Sequence, residues 1–257
     1  MSEYHRLVQQ IEIQGGALFR WRGLIGAALL PPLAIAVWQP GWPGNLLQDH
    51  AIDMLTGIGL VISLLGLALR WFTVGRVPAG TSGRNTREQR AAALNTTGMY
   101  SIVRHPLYVA NAIIVTGFTI ATASLWFLLL FWLSYTLCIE RIVAPEEHFL
   151  QRSYGDRYQR WATLTPAFLP RLKQWQPSGL PYSIRTVLRR EYNGFFGVSL
   201  AFFLLEAVRD VGLAHEPVKA WLADESVWTI LLALGLIVFA VLRSLKRRTR
   251  QLHVHGR

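Results

Sequence analysis

The chain has 257 residues, of which 52% are hydrophobic and only 16% charged, with a formal net charge of +11. Ordinary soluble domains carry about 25% charged residues, so composition argues against a water-soluble globule. The basic excess would suit nucleic acid, but the placement of the charges argues otherwise.

Six apolar runs are long enough, at roughly 17–25 residues each, to cross a bilayer; they lie at 17–38, 51–74, 106–122, 124–143, 194–213 and 226–242. The expected fold is therefore all-α and polytopic, with about six transmembrane helices. Segments 39–50 and 122–124 have no Lys or Arg, and 214–225 has only Lys219 against Glu216, Asp224 and Glu225. By contrast, 75–104 carries Arg76, Arg84, Arg87, Arg90 and Arg104, 141–192 carries nine Lys or Arg, and Arg243, Lys246, Arg247, Arg248, Arg250 and Arg257 crowd the tail. Basic loops alternate with non-basic ones, which is the positive-inside pattern with both termini cytoplasmic in an inner membrane. The charge is topological, with affinity for anionic head groups, and nucleic acid is not an expected partner.

In chain order, three pieces follow. Residues 1–74 form two spans joined by the turn-rich loop QPGWPGNLLQ. Within the first, Ala34-Ile35-Ala36 after Arg20 and Arg22 resembles a signal-peptidase site, but the leader would be long and Pro31-Pro32 interrupts it, so a retained span is expected. Residues 75–170 form a basic inside loop, a helical hairpin with a connection of a few residues, and a second inside segment. Residues 171–257 add the linker QWQPSGLPYS and two further spans. The lone Cys138 lies inside an apolar run and reads as an inert thiol.

A tight hairpin brings its two cytoplasmic ends side by side. At the entrance lies LNTTGMYSIVRHPLY, residues 94–108, where Pro106 suits the first turn of a helix. At the exit lies ERIVAPEEHFLQRSYGDRYQRW, residues 140–161, where Pro145 is expected to start a new helix with Glu146 and Glu147 in its first turn. Glu147, Leu150, Tyr154, Tyr158 and Trp161 then fall on one face of an amphipathic helix that would lie along the inner surface and roof the hairpin. The two patches gather Tyr100, Arg104, His105, Tyr108, Glu140, Arg141, Glu146, Glu147 and His148 at one interfacial spot. Singly, each has a plain explanation: positive-inside arginines, acids at a helix start, belt tyrosines. Together, ionisable groups at membrane depth mark a site.

Other features carry less. Gly57-x-Gly59 lies inside a span and reads as helix packing rather than nucleotide binding. No His, Cys and carboxylate set has metal-ligand spacing, and His253 and His255 read as solvated. Glu206 and Arg209 read as an i,i+3 ion pair rather than a substrate contact.

The two patches resemble the isoprenylcysteine carboxyl methyltransferase and phospholipid methyltransferase family of integral-membrane enzymes. The first matches Gly-x-Tyr-x-x-Val-Arg-His-Pro-x-Tyr from Gly98 to Tyr108; the second matches Arg141, Glu146-Glu147, Leu150, Tyr154-Gly155, Tyr158 and Trp161. The resemblance covers residues 94–170, just under a third of the chain. It implies methyl transfer from S-adenosyl-L-methionine to a lipid or lipid-linked carboxylate, phosphate or hydroxyl oxygen at the cytoplasmic face. It further implies cofactor contacts from Tyr100, His105, Tyr108, Glu146, Glu147 and Tyr158. Residue chemistry is compatible with this. Carboxylates and aromatic faces suit a sulfonium, Arg104 or Arg141 suits an anionic acceptor, and His105 suits a general base. N-methylation of a phospholipid amine, or a non-catalytic transporter or scaffold of the same shape, stand as alternatives. Where the family usually has glycine two residues after the tyrosine, this chain has Ala110, which implies a less close backbone approach there.

Overall fold

The computed structural model describes residues 14, 15, 18, 25–78, 81, 93–249 and 251–254, with Ile25 and Asp224 described by their backbone alone. Arg20, Arg22, Arg84, Arg87, Arg90, Arg250, His255, Arg257 and much of the upstream half of the first expected span lie outside the described residues.

The described chain is helical throughout, without strands: α1 Leu30–Trp38, α2 Asp49–Val74, α3 Pro106–Ala121, α4 Leu125–Tyr154, α5 Asp156–Leu164, α6 Ile184–Ala207, α7 Val218–Asp224 and α8 Ser226–Arg248. Three of them, α2, α4 and α8, are long and apolar enough to cross a membrane, and α3 and the stretch Gly26–Trp38 are shorter apolar helices. Large apolar side chains stand exposed at helical spacing on the outer faces: Met54, Ile58, Val61 and Leu65 on α2, Leu129 and Leu133 on α4, Ile230, Leu234, Ile237 and Val241 on α8. In water such stripes would be a liability; in lipid they are the solvated face. This is a polytopic membrane architecture.

Span boundaries differ from expectation in several places, α4 running to Tyr154 and α8 to Arg248. The first apolar run does not form one helix: a 3-10 turn at Ile25–Leu29 precedes α1, and Pro31 and Pro32 occupy the first positions of α1, where the missing N–H groups cost nothing. The fifth begins ten residues early, at Ile184, because the Ser183 hydroxyl caps the Thr186 N–H at 3.3 Å. It ends in a π turn at Val208–Leu213.

The hairpin α3–α4 turns at 122–124, where Ala123 adopts φ of 53°. The loop after α1 clasps this turn: Gly44 N–H donates to the Ala123 carbonyl at 3.0 Å and Leu125 N–H to that of Trp42 at 3.1 Å. The main partner of α3 is nevertheless α2, and contact with α4 is sparse. The α2–α3 crossing is made by small residues. A Cβ on Gly117 would run into the Gly59 carbonyl and the Ser63 hydroxyl, and one on Gly66 would meet Ile114 and the Ala110 carbonyl at 2.8 and 2.9 Å. Close backbone approach through glycine is how membrane helices gain packing contact without a hydrophobic drive. Gly59 thus has the packing role expected of it, whereas Gly57 has open space around it. The close approach missing from Ala110 is supplied from the other side by Gly66. Helix α6 packs against α2 and carries α8 on its other side, with Val198, Phe202, Leu205 and Trp228 joining Ala121 in the core.

Overpacking a close crossing costs about 1–3 kcal/mol, whereas open surface sites change stability by about 0.5 kcal/mol or less. Gly117→Val is therefore expected to lower the thermal unfolding midpoint in detergent by several degrees, and Gly57→Val to leave it unchanged.

Candidate active site

Both motifs are punctuated by a glycine that the backbone requires. Gly98 has φ of 61° and ψ of −134°, and Gly155 has φ of 50° and ψ of −127°, a region closed to residues bearing a Cβ. Gly98 starts the single turn Met99–Ile102, after which Val103 is extended and Pro106 opens α3.

At the exit the structure corrects one expectation. Pro145 does not start a helix; α4 runs through it to Tyr154, and the break falls at Gly155. The five residues expected on one amphipathic helix are divided, Glu147, Leu150 and Tyr154 on α4, Tyr158 and Trp161 on α5. A proline inside a helix removes one N–H and strands the carbonyl four residues back. Here that carbonyl belongs to Arg141, and Gly15 packs directly against it and against the proline ring, where any Cβ would collide. The bond is lost, but apolar α4 persists because its remaining ladder is intact.

A strap closes the site from above. After α5 the chain returns alongside motif one: Arg104 N–H donates to Pro166 at 2.8 Å, His105 N–H to Ala167 at 3.2 Å, Arg171 N–H to Ile102 at 3.0 Å and Gly98 N–H to Gln176 at 2.8 Å. The Trp161 indole donates to the Tyr100 carbonyl at 3.0 Å, seating α5 on the motif-one turn. The His105 ring, 9% exposed, is flanked by Phe168 at 5.7 Å and Tyr108 at 6.0 Å between centroids.

Under this strap the two motifs meet through their charged groups. Glu147 Oε1 lies 2.8 Å from His105 Nε2 and 3.3 Å from Arg104 Nε, and the Tyr108 hydroxyl donates to Glu146 Oε1 at 2.7 Å. The Tyr135 hydroxyl, from α4, donates to the Tyr108 carbonyl at 2.6 Å and pins the start of α3. Tyr158 is buried, with its hydroxyl turned toward Glu147 and Arg104 yet in no completed hydrogen bond among the described residues. Burial first, and the adjacent Glu147 charge second, push its phenol well above the usual range, so it stays protonated and able to donate.

Not every expected residue joins. Arg141 turns away: Nη1 donates to the Leu137 carbonyl at 2.8 Å, one turn back, and Nε to Gln14 at 3.3 Å. Six positions before Glu147 on one helix, it projects roughly 240° around the axis. Glu140 and His148 are exposed. Phe168 was not legible in advance, since nothing local ties position 168 to His105.

Two further polar clusters lie among the helices. Glu206 and Arg209 form the expected i,i+3 pair at 3.0 Å, extended by Thr56, whose hydroxyl donates to Glu206 at 3.1 Å, and by the Ala121 carbonyl, which accepts from Arg209. Arg70 on α2 pairs with Glu191 on α6 and Asn111 on α3. The signal for the latter was present: a lone arginine and asparagine inside apolar runs.

The phospholipid methyltransferase family model matches residues 54–157. Curated relatives include the nickel-cobalt-cadmium resistance protein NccN of Alcaligenes xylosoxydans xylosoxydans, 36% identical over 115 residues, covering 44% of this chain and 50% of the relative. The cobalt-zinc-cadmium resistance protein CzcN of Cupriavidus metallidurans is 34% identical over 119 residues, covering 46% of this chain and 51% of the relative. The chain thus spans about half the length of the curated relatives it matches. No solved structure matches it. The matched stretch begins inside α2 and holds the first motif whole, the hairpin, Glu146, Glu147 and Gly155; over residues 54–157 the chain is similar to the phospholipid methyltransferase family.

Proposed function

We propose that the chain is an integral-membrane methyltransferase that uses S-adenosyl-L-methionine to methylate a lipid or lipid-linked acceptor at the cytoplasmic face of the inner membrane, with both termini on that side. The observation that carries this reading is the direct pairing of the two motifs, Glu147 with His105 and Arg104 and Glu146 with Tyr108.

The residues present fit the cofactor. A buried Tyr158 hydroxyl without a completed hydrogen bond faces a carboxylate and a guanidinium, a donor set suited to a zwitterionic amino acid head. Tyr108 and the glutamates suit a cation in low dielectric. When bound, S-adenosylmethionine supplies a methyl group already activated on a sulfonium; positioning and dryness are left to the protein.

Arg104 neutralises Glu147, so the carboxylate is free to hold His105 rather than to attract protons. With the Nε2 proton donated to Glu147, Nδ1 is the acceptor nitrogen of the ring. That nitrogen is the base for a hydroxyl or amine acceptor. Glu147 is then a positioning residue and His105 the catalytic one. Phe168 and the 165–176 strap keep water from both.

The relatives' names favour a physiological setting as a second reading, in which the methylated product serves growth in nickel, cobalt, zinc or cadmium. A strain lacking the chain is expected to regain cadmium tolerance with the wild type and not with His105→Ala; equal rescue by both would separate resistance from methyl transfer.

Ligand at a hundred times its Kd stabilises by about 2.7 kcal/mol, so purified protein is expected to unfold several degrees higher with S-adenosylhomocysteine. That shift should vanish in Tyr108→Ala. Lipid mass spectrometry of cells with and without the chain should reveal one species gaining a methylene; no such species and no thermal shift would sink the reading. Glu147→Ala leaves Arg104 and His105 without their partner, at a cost of about 1–3 kcal/mol in stability and about 10²-fold in turnover through misplacement of His105. Glu147→Gln, which keeps an acceptor for His105, should retain more of both.

A further inference from the structure

The Arg70 cluster does more than tie helices together. Arg70 Nε and Nη2 donate to the two Glu191 oxygens at 2.9 and 3.0 Å, and Nη1 donates to Asn111. The side chains are 13% and 4% exposed for Arg70 and Glu191. All three residues line a cleft of about 420 Å³ between α3 and α6, open along one side, a size within the range of small-molecule sites, roughly 300–1,000 Å³. Beyond its polar end the walls are apolar: Val115 and Phe118 on α3, Ala201 and Phe202 on α6. Gly197 leaves α6 hollow there, since a Cβ on it would meet nothing within 4 Å.

The cleft adjoins the site already described. Asn111 follows Tyr108 by three residues on α3, one turn deeper on the same face, and Tyr108 bonds Glu146. The charge at the polar end is already balanced, because Glu191 meets Arg70 through two bonds. Adding an anion or a cation would bring an uncompensated charge into apolar surroundings. What remains is hydrogen-bond capacity: a second N–H on each terminal nitrogen of Arg70 and the Asn111 amide protons. These ask for a neutral oxygen.

We propose that this cleft binds the apolar chain of the methyl acceptor, with a neutral oxygen function where chain meets head, an ester carbonyl or a hydroxyl, held by Arg70 and Asn111. Helix α6 lies beyond the matched stretch 54–157, so a helix outside that stretch supplies one wall of the acceptor site. The proposal rests on the methyltransferase reading for what befalls the head group, but not for occupancy of the cleft.

The test uses the full chain in vesicles with two photoreactive probes, a phosphatidylethanolamine carrying a diazirine in one acyl chain and a prenol carrying the same group. Labelled peptides are located by mass spectrometry. One probe is expected to label residues 111–118 and 194–202 about tenfold more than the segment 129–133 of α4, where Leu129 and Leu133 are exposed, and which probe does so tells ester from hydroxyl. Labelling of the cleft no stronger than of 129–133, by either probe, means bulk lipid only and overturns the proposal. Gly197→Leu, and independently Ala201→Phe, should bring cleft labelling down to that background while leaving the S-adenosylhomocysteine thermal shift intact. Unchanged labelling in both overturns it. Asn111→Leu should abolish the discrimination between probes; retained discrimination removes the assigned oxygen contact. If cleft labelling behaves as expected but S-adenosylhomocysteine shifts neither wild type nor variants, the cleft stands and the methyltransferase reading falls.

Discussion

The Glu147 carboxylate joins the two halves of the site. Glu147 comes from the far end of a long apolar helix, and its partners His105 and Arg104 stand at the start of the neighbouring one. Hairpin helices with sparse mutual contact need a reason to hold one register at their open ends, and a half-buried charge with one cation and one imidazole supplies it. Tyr108 with Glu146 repeats the arrangement one residue away. The strap from 165 to 176 pairs with the backbone of residues 98–105, so its seating depends on the same register.

Much of this was legible because charge in an apolar sequence is conspicuous. The hairpin followed from two apolar runs with almost nothing between them, and the nearness of residues 105 and 147 followed from the hairpin. The α-helical membrane architecture needed only composition and run length. What the sequence concealed depends on rotation about helix axes and on long-range return of the chain. Arg141 and Glu147 are close in sequence, yet the 3.6-residue period sends one outward and the other inward. Pro145 carries a strong local signal for a helix start, overridden because apolar packing of α4 outweighs one missing hydrogen bond and Gly155 offers a better place to stop. Phe168 and Gln176 reach the first motif through backbone pairing with no local periodicity to announce it.

The two clusters buried among the helices show how a membrane protein uses charge where solvent is absent. At one end Glu206, Arg209 and Thr56 bond each other and the last carbonyl of α3, joining α2, α3 and α6. At the other, Arg70, Asn111 and Glu191 join the same three helices. Helix α6 is thereby fastened to α2 and α3 at two levels, with glycine-hollowed surface between them. An added helix pair that merely filled space would need neither.

Gly155 has a consequence for how the roof varies among descendants of this chain. Its backbone sets the direction in which α5 leaves α4, and Tyr158, Trp161 and the Arg104 and Arg171 side chains seat it. Direction and anchorage are thus uncoupled from the outward residues Arg157, Gln159 and Arg160, which are exposed. Mutational drift at those three positions is nearly free of structural cost, so the charge on the outer face of α5 can be retuned without disturbing the pairing of Glu147 with His105 and Arg104 beneath it.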